Sequence, residues 1–192
     1  MPTAQEYFQR VFDRYPVAWD EGPFLYRQLN FARNQVALDC DVVRRIQQAA
    51  NQHIIYLDRS FLAVRKIYFR KSDLSFVYEL KYKATPFYPT AKWSNLPTNY
   101  YLVYPNQIHI LPFEFDHSID GVFEIFYVPK CEDMISLTDV ERDLPEQLSE
   151  LVVLQVCMRL AENDLQYAVK QYFENEYKLL LLKVPKASYL YG

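Results

Sequence analysis

The chain has 192 residues with 21 Lys+Arg against 24 Asp+Glu, and its formal net charge of −3 argues against a nucleic-acid coat. Area scaling at this length buries roughly 70% of the unfolded surface, so one compact domain is expected. The three glycines, Gly22, Gly121 and Gly192, lie far apart; no P-loop, no Gly-x-Gly-x-x-Gly turn and no Gly-x-Ser-x-Gly elbow can be written, which excludes the common phosphate-binding and acyl-transfer scaffolds.

Thr3 with Glu6 forms a capping-box pair, and Ala4, Tyr7, Phe8, Val11, Phe12 and Tyr15 recur at helical spacing until Pro16, predicting a helix over residues 3–14. Gly22-Pro23 opens a second helix whose apolar stripe passes Leu25, Leu29, Ala32 and Val36; Val42, Val43 and Ile46 continue it beyond a break near residues 39–41. From Ile54 the period changes. Residues 61–70 are β-branched and aromatic, and 100–104 and 107–111, joined through Pro105-Asn106, read as a hairpin. A strand over 122–128 puts Phe123, Ile125 and Tyr127 on one side and Val122, Glu124, Phe126 and Val128 on the other. Both faces are largely apolar, so the sheet calls for cover twice, from the chain's own helices and from something else. Residues 80–97, with Pro86, Pro89 and Pro97 among Tyr82, Phe87, Tyr88 and Trp93, read as a long ordered loop.

Beyond Pro129 the helical period returns. Asp143 as N-cap, Pro145 and Glu146 mark a helix start, and residues 148–160 are apolar around most of the circumference, as in a buried helix. Glu162-Asn163-Asp164 turns into a last helix over 165–184, ended by Pro185. That helix carries two apolar lines. One is Leu165, Ala168, Tyr172, Leu179 and Leu182; the other is Val169, Phe173, Tyr177, Leu180 and Val184. A narrow polar face keeps Lys170, Glu174 and Lys178, with Glu and Lys in the favourable four-residue order.

Catalytic chemistry finds no footing in these residues. Cys40, Cys131 and Cys157 are widely spaced, and Cys157 among Val156, Met158 and Leu160 reads as a buried apolar residue, fitting reduced thiols in a cytoplasm. The first eight residues lack the basic start and apolar core of a signal peptide, and the longest apolar run, 179–182, is far below the ~20 residues that span a bilayer. His53, His109 and His117 have no metal spacing, and His109, alternating with Ile108 and Ile110, belongs on the less buried side of its strand. Glu114, Asp116, His117 and Asp120 miss the calcium-loop register and read as a solvated inter-strand loop; a hydrolase using Asp116 and His117 is the weakest reading. Ser60, Ser94 and Ser118 sit in no nucleophile motif, and Arg65, Lys66, Arg70 and Lys71 lie on both sides of one strand rather than forming a strip. No enzyme, metal or cofactor is expected.

Aromatic residues make up 17% of the chain, and Tyr, with 17 copies, dominates them. A single Tyr is best read as core. A last helix with two apolar lines, followed by Ala187-Ser188-Tyr189-Leu190-Tyr191, instead suggests subunit contacts. Such a tail forms no core alone; it is either laid back on its own domain or inserted into a neighbour.

The order of elements and several stretches resemble a known family. They are Ile55-Tyr56-Leu57-Asp58 leading into Phe61-Leu62-Ala63-Val64-Arg65-Lys66-Ile67-Tyr68; Pro97-Thr98-Asn99-Tyr100-Tyr101 with its hairpin; and Val122-Phe123-Glu124-Ile125-Phe126-Tyr127-Val128-Pro129. To these add Asp143-Leu144-Pro145-Glu146-Gln147-Leu148-Ser149-Glu150-Leu151-Val152, then Ala161-Glu162-Asn163-Asp164 and the helix bearing Ala168, Tyr172, Phe173 and Tyr177. Together they resemble the head-to-tail adaptor (connector, or neck) proteins of tailed bacteriophages. The resemblance is one of pattern and spans nearly the whole chain.

It implies an α+β fold with α-helical hairpins at both ends packing on an inserted small antiparallel β-sheet, with an extended C-terminal tail. Residues 1–184 would be one adaptor domain, with N-terminal helices in 1–52, a β-rich insertion in 53–130 and C-terminal helices in 131–184, followed by a docking tail, 185–192. It further implies a ring, of twelve copies in most such phages, made in the host cytoplasm and seated in the virion neck between the portal protein and a tail nozzle or hub protein. DNA would pass through its lumen without sequence-specific binding. Partner contacts would fall on Tyr189, Leu190 and Tyr191 in the tail and on Tyr172, Phe173 and Tyr177 in the last helix. The alternative from another class is a non-enzymatic peptide- or carbohydrate-binding module, monomeric or dimeric, with its site on the β insertion.

Overall fold

The computed structural model describes residues 1–16, 22–72, 77–84, 96–111 and 120–184, which form a mixed α+β structure of four helices and two small sheets. They divide into a helical unit, residues 1–42 with 131–184, and a β unit, residues 43–130.

In the helical unit, α1 (Ala4–Arg14) begins where the sequence places it: Thr3 Oγ1 accepts the Glu6 N–H at 3.2 Å and the Glu6 carboxylate accepts the Thr3 N–H at 2.7 Å. Helix α2 (Pro23–Asp39) starts with proline at a position whose N–H needs no partner, and buries Leu25, Leu29, Ala32 and Val36. Helix α3 (Ser149–Asn163) is the axis of the unit, buried from Leu151 through Cys157, with α1, α2 and α4 (Tyr167–Leu181) all packed against it. An apolar circumference needs cover on every side, and three neighbours supply it. The α3–α4 corner closes through the Gln166 N–H to the Ala161 carbonyl, 2.8 Å, with Leu165 in the left-handed region at φ 59°.

Asp143 does not cap α3. The helix follows a single 3-10 turn (Glu146–Leu148), and the Asp143 carboxylate turns away to accept the Glu132 N–H at 2.7 Å. Because Pro145 is extended (ψ 141°), the turn starts at Glu146, three residues beyond Asp143 and out of its reach.

In the β unit the first sheet runs β1 (Arg44–Ala49), β8 (Gly121–Pro129), β3 (Phe61–Lys71) and β4 (Val77–Glu79), antiparallel throughout. The second runs β2 (Ile54–Tyr56), β7 (Gln107–Leu111), β6 (Asn99–Val103) and β5 (Lys81–Tyr82), the last pair parallel. Ile67, Phe69, Phe123, Ile125 and Tyr127 of the first sheet and Ile55, Ile108 and Ile110 of the second share one buried core. The expected hairpin is β6–β7, turned through a cis Tyr104–Pro105 bond. Its tip is held by the Leu57 N–H to the Asn106 carbonyl, 2.9 Å, and the Phe61 N–H to the Pro105 carbonyl, 3.0 Å.

Three expectations need correction. Val42, Val43 and Ile46 do not extend a helix: Arg44–Ala49 is an edge strand registered on β8, and one helical turn of apolar residues cannot be told from strand alternation until that partner is known. The face of β8 that bears Phe123, Ile125 and Tyr127 packs against a second sheet, where helices were expected. Within 80–97, Lys81–Tyr82 is a short strand on β6; Pro86, Phe87, Tyr88, Pro89 and Trp93 lie outside the described residues.

Gly121 opens β8 because nothing larger fits: a Cβ there would stand 2.7 Å from the Phe69 ring and 3.0 Å from the Arg70 carbonyl oxygen.

Candidate interaction surfaces

The two apolar lines of the last helix part company in the fold. Phe173 and Tyr177 point inward: Phe173 stacks edge-on against Tyr15 (centroids 6.2 Å apart), and the Tyr177 hydroxyl donates to Asp39 Oδ2 at 2.6 Å. Burial first, then that carboxylate, pushes the Tyr177 phenol far up. Both residues are therefore core anchors of α4, which corrects their expected place in a partner surface. The other line faces out, with Tyr172 58%, Leu179 62% and Leu182 79% exposed, and the Tyr172 hydroxyl donating to Glu176 at 2.7 Å. A groove of about 290 Å³ bounded by Arg14, Glu150, Leu154, Glu176, Leu180 and Lys183 opens beside Leu179. Tyr189, Leu190 and Tyr191 lie outside the described residues.

One cluster of charge is internal. Arg33 is fully buried and forks onto Glu141, Nε to Oε2 at 2.7 Å and Nη2 to Oε1 at 2.8 Å, with Asp143 Oδ2 at 3.6 Å from Nη2. Its Nη1 donates to the Glu132 carbonyl (2.5 Å) and Asn30 Oδ1 (3.1 Å), while Glu141 also accepts from the backbone N–H groups of Asp143 and Leu144. Every one of these groups is engaged with another, so the cluster ties α2 to the segment before α3 and presents no reactive atom. Sequence reading missed it, because Arg33 and Glu141 are 108 positions apart and neither sits in a motif.

Each sheet also has an outer face. On the first, Glu124 is buried between Arg45 and Arg70, and Tyr68 meets Phe126 edge-on at 5.9 Å. Beyond the register shifts in β3 between Phe61 and Ala63 and between Val64 and Lys66 the pairing is regular, with Lys66 opposite Phe126 and Arg70 opposite Val122, so these two cations, four residues apart, share one row. The shift leaves Arg65 as the extra residue of the bulge, exposed like Lys66. On the second sheet, His109 is half-buried, as its alternation predicts. Its Nδ1 lies 2.8 Å from the Tyr101 hydroxyl and its Nε2 3.2 Å from Gln107 Oε1. Burial, then the charge of His53, holds His109 below the usual imidazole range.

Glu114, Asp116, His117, Ser94 and Ser118 lie outside the described residues, and Asp120 accepts a bond from the Ser72 hydroxyl at 2.7 Å. Burial pushes the thiols of Cys40 and Cys157 up to about 12, the opposite of an activated nucleophile. Among the described residues no group of three His, Cys, Asp or Glu side chains is placed to hold a metal, and no helix is long and apolar enough to cross a membrane. No model of a known protein family matches the chain, and no curated protein matches it.

Proposed function

We propose that this chain is a subunit of a head-to-tail adaptor ring in the neck of a tailed-bacteriophage virion, a non-enzymatic structural part seated between portal and tail around the DNA path. One observation carries the reading furthest. Helix α4 already spends Phe173 and Tyr177 on its own core, yet still displays Tyr172, Leu179 and Leu182 in a row to the outside. Large apolar side chains clustered on a surface mark contact with another macromolecule. A permanent ring requires such area rather than chemistry. The pattern resemblance across nearly the whole sequence supplies the kind of assembly. The helical hairpins and the tail 185–192 docking through Tyr189, Leu190 and Tyr191 on portal or neighbour belong to this proposal.

The test is native mass measurement of the purified chain, alone and mixed with the portal particle of its virion, with negative-stain imaging of the mixture. Added ring density on the portal is expected. A chain that stays monomeric in both settings overturns the proposal. Deleting residues 185–192 should weaken assembly on the portal; unchanged assembly would remove the docking role of the tail. The second reading, a peptide- or carbohydrate-binding module, draws on the outer face of the second sheet, where Tyr56 is 63% exposed beside the Tyr101, His109 and Gln107 set. A monomer that binds such ligands through Tyr56 would favour it.

A further inference from the structure

Two outward rows of the helical unit share one spacing. On α4 the row is Ala168, Tyr172, Asn175, Leu179 and Leu182; on α2 it is Phe24, Gln28, Phe31, Gln35 and Leu38. Both advance in steps of four, three, four and three, the alternation that keeps a row facing a second helix along its length. The α4 row is exposed throughout, and the α2 row is half-buried to exposed, with Phe31 44% open under the Arg159 guanidinium 3.8 Å above its ring.

The flanking charges decide how the rows can meet. Arg27 and Asp39 stand beside the α2 row; Glu176 and Lys178 stand beside the α4 row. With the helices parallel and Phe24 level with Ala168, Arg27 reaches Glu176 and Asp39 reaches Lys178. Antiparallel, Arg27 is set against Lys178 instead. In-chain partners do not block this: Glu176 bonds Arg14 and Tyr172, Asp39 bonds Gln35 and Tyr177, and Lys178 bonds Glu174, but each carboxylate oxygen accepts more than one donor and Lys178 is well exposed.

Direction within the chain points the same way. Arg14 pairs with Glu150 at the start of α3 and with Glu176 late in α4, and Lys170 early in α4 pairs with Glu162 late in α3, so α3 and α4 run antiparallel. Arg159, also late in α3, bonds Gln28 and covers Phe31, while the end of α2 at Asp39 receives Tyr177 of α4. Helices α2 and α4 thus both run against α3 and along one another. A small rotation between ring neighbours preserves that shared direction from one copy to the next, and two different rows make the heterologous contact that ring closure requires.

Resting on the ring reading, we infer that the outer row of α4 in one copy packs parallel against the outer row of α2 in the next. The experiment uses Gln35→Cys and Leu179→Cys, level positions on the two rows, singly and together, with mild oxidation at the highest soluble concentration and native mass measurement alongside. The double variant should give a ladder of linked oligomers, each single variant none, and a mixture of the two singles only linked pairs. Linking by either single alone means a self-complementary contact and overturns the inference. Rings without links overturn the contact while leaving the ring intact. Monomers without links, with the portal particle present as well as without it, overturn both. Circular dichroism of each variant confirms folding, and the native thiols are all buried, those of Cys40 and Cys157 held protonated as well, so they stay out of the reaction.

Discussion

Arg33 shows how much one side chain can hold. It is the only cation within the buried set of Glu141 and Asp143 among the described residues, and removing one partner of a buried ion pair leaves an uncompensated charge. Arg33→Met should lower unfolding free energy by about 3–5 kcal/mol in urea titrations. Adding Glu141→Leu should recover only part of this, because the Asp143 and Leu144 N–H groups then lose their acceptor. A loss under about 1 kcal/mol for Arg33→Met would show that solvent reaches the cluster. Leu165 predicts the opposite sign. Its φ of 59° strains a residue with a Cβ, and with 69% of it exposed little packing is at stake. Leu165→Gly should therefore raise stability by about 0.5–1 kcal/mol, read from the shift in denaturation midpoint. Neither residue announced itself in the sequence. A lone Arg on a helix stripe reads as surface, and a Leu opening a helical pattern reads as its first turn, until the carboxylates and the corner are placed in space.

At the scale of elements, what was legible followed from strong local signals. The Thr3 and Glu6 box fixes the start of α1, the apolar circumference of residues 148–160 marks a central helix, and the alternation around Pro105-Asn106 marks the β6–β7 pair. What was not legible depended on partners distant in sequence. Arg44–Ala49 becomes a strand only because β8 lies beside it, and the two lines of α4 look equivalent until α3 takes one of them. That division gives a paired prediction. Phe173→Ala removes a buried ring and should cost about 3–5 kcal/mol. Leu179→Asn on the outer line should change stability by no more than about 0.5 kcal/mol while reducing self-association in sedimentation velocity. If both variants lose stability alike, the outer line is packed within the monomer and the interaction surface is gone. Gly121→Ala tests the β unit in the same spirit, with overpacking against Phe69 expected to cost about 1–3 kcal/mol by thermal unfolding.

Among the described residues the tyrosines range from buried to exposed, with Tyr26, Tyr68, Tyr78 and Tyr101 half-buried between the extremes. Tyr7, Tyr15, Tyr100, Tyr127 and Tyr177 are buried, whereas Tyr56, Tyr82, Tyr104, Tyr167 and Tyr172 are exposed. Burial, reinforced by the Asp164 and Asp58 carboxylates that accept their hydroxyls, pushes Tyr15 and Tyr127 up to about 12, and burial does the same to Tyr78. Tyr7 and Tyr177 are raised further, by burial first and then by Glu141 and Asp39. An acid whose folded pKa lies above its unfolded value binds its proton more tightly in the native state. Its stabilisation is complete below the unfolded value near 10 and drains away as pH climbs toward the folded one. Each of these phenols therefore contributes stability that is lost across this window, and several of them lose it together. Cys40 and Cys157 act in the same direction, starting near pH 9. The chain should therefore unfold cooperatively between about pH 10 and 12. In a phenolate absorbance titration the exposed tyrosines should ionise reversibly near pH 10, and Tyr7, Tyr15 and Tyr177 of the helical unit only together with loss of the helical circular dichroism signal. A single smooth titration of all tyrosines with the helices intact would show that the buried rings are wet, and with them the packing that holds α4 by one line and frees the other.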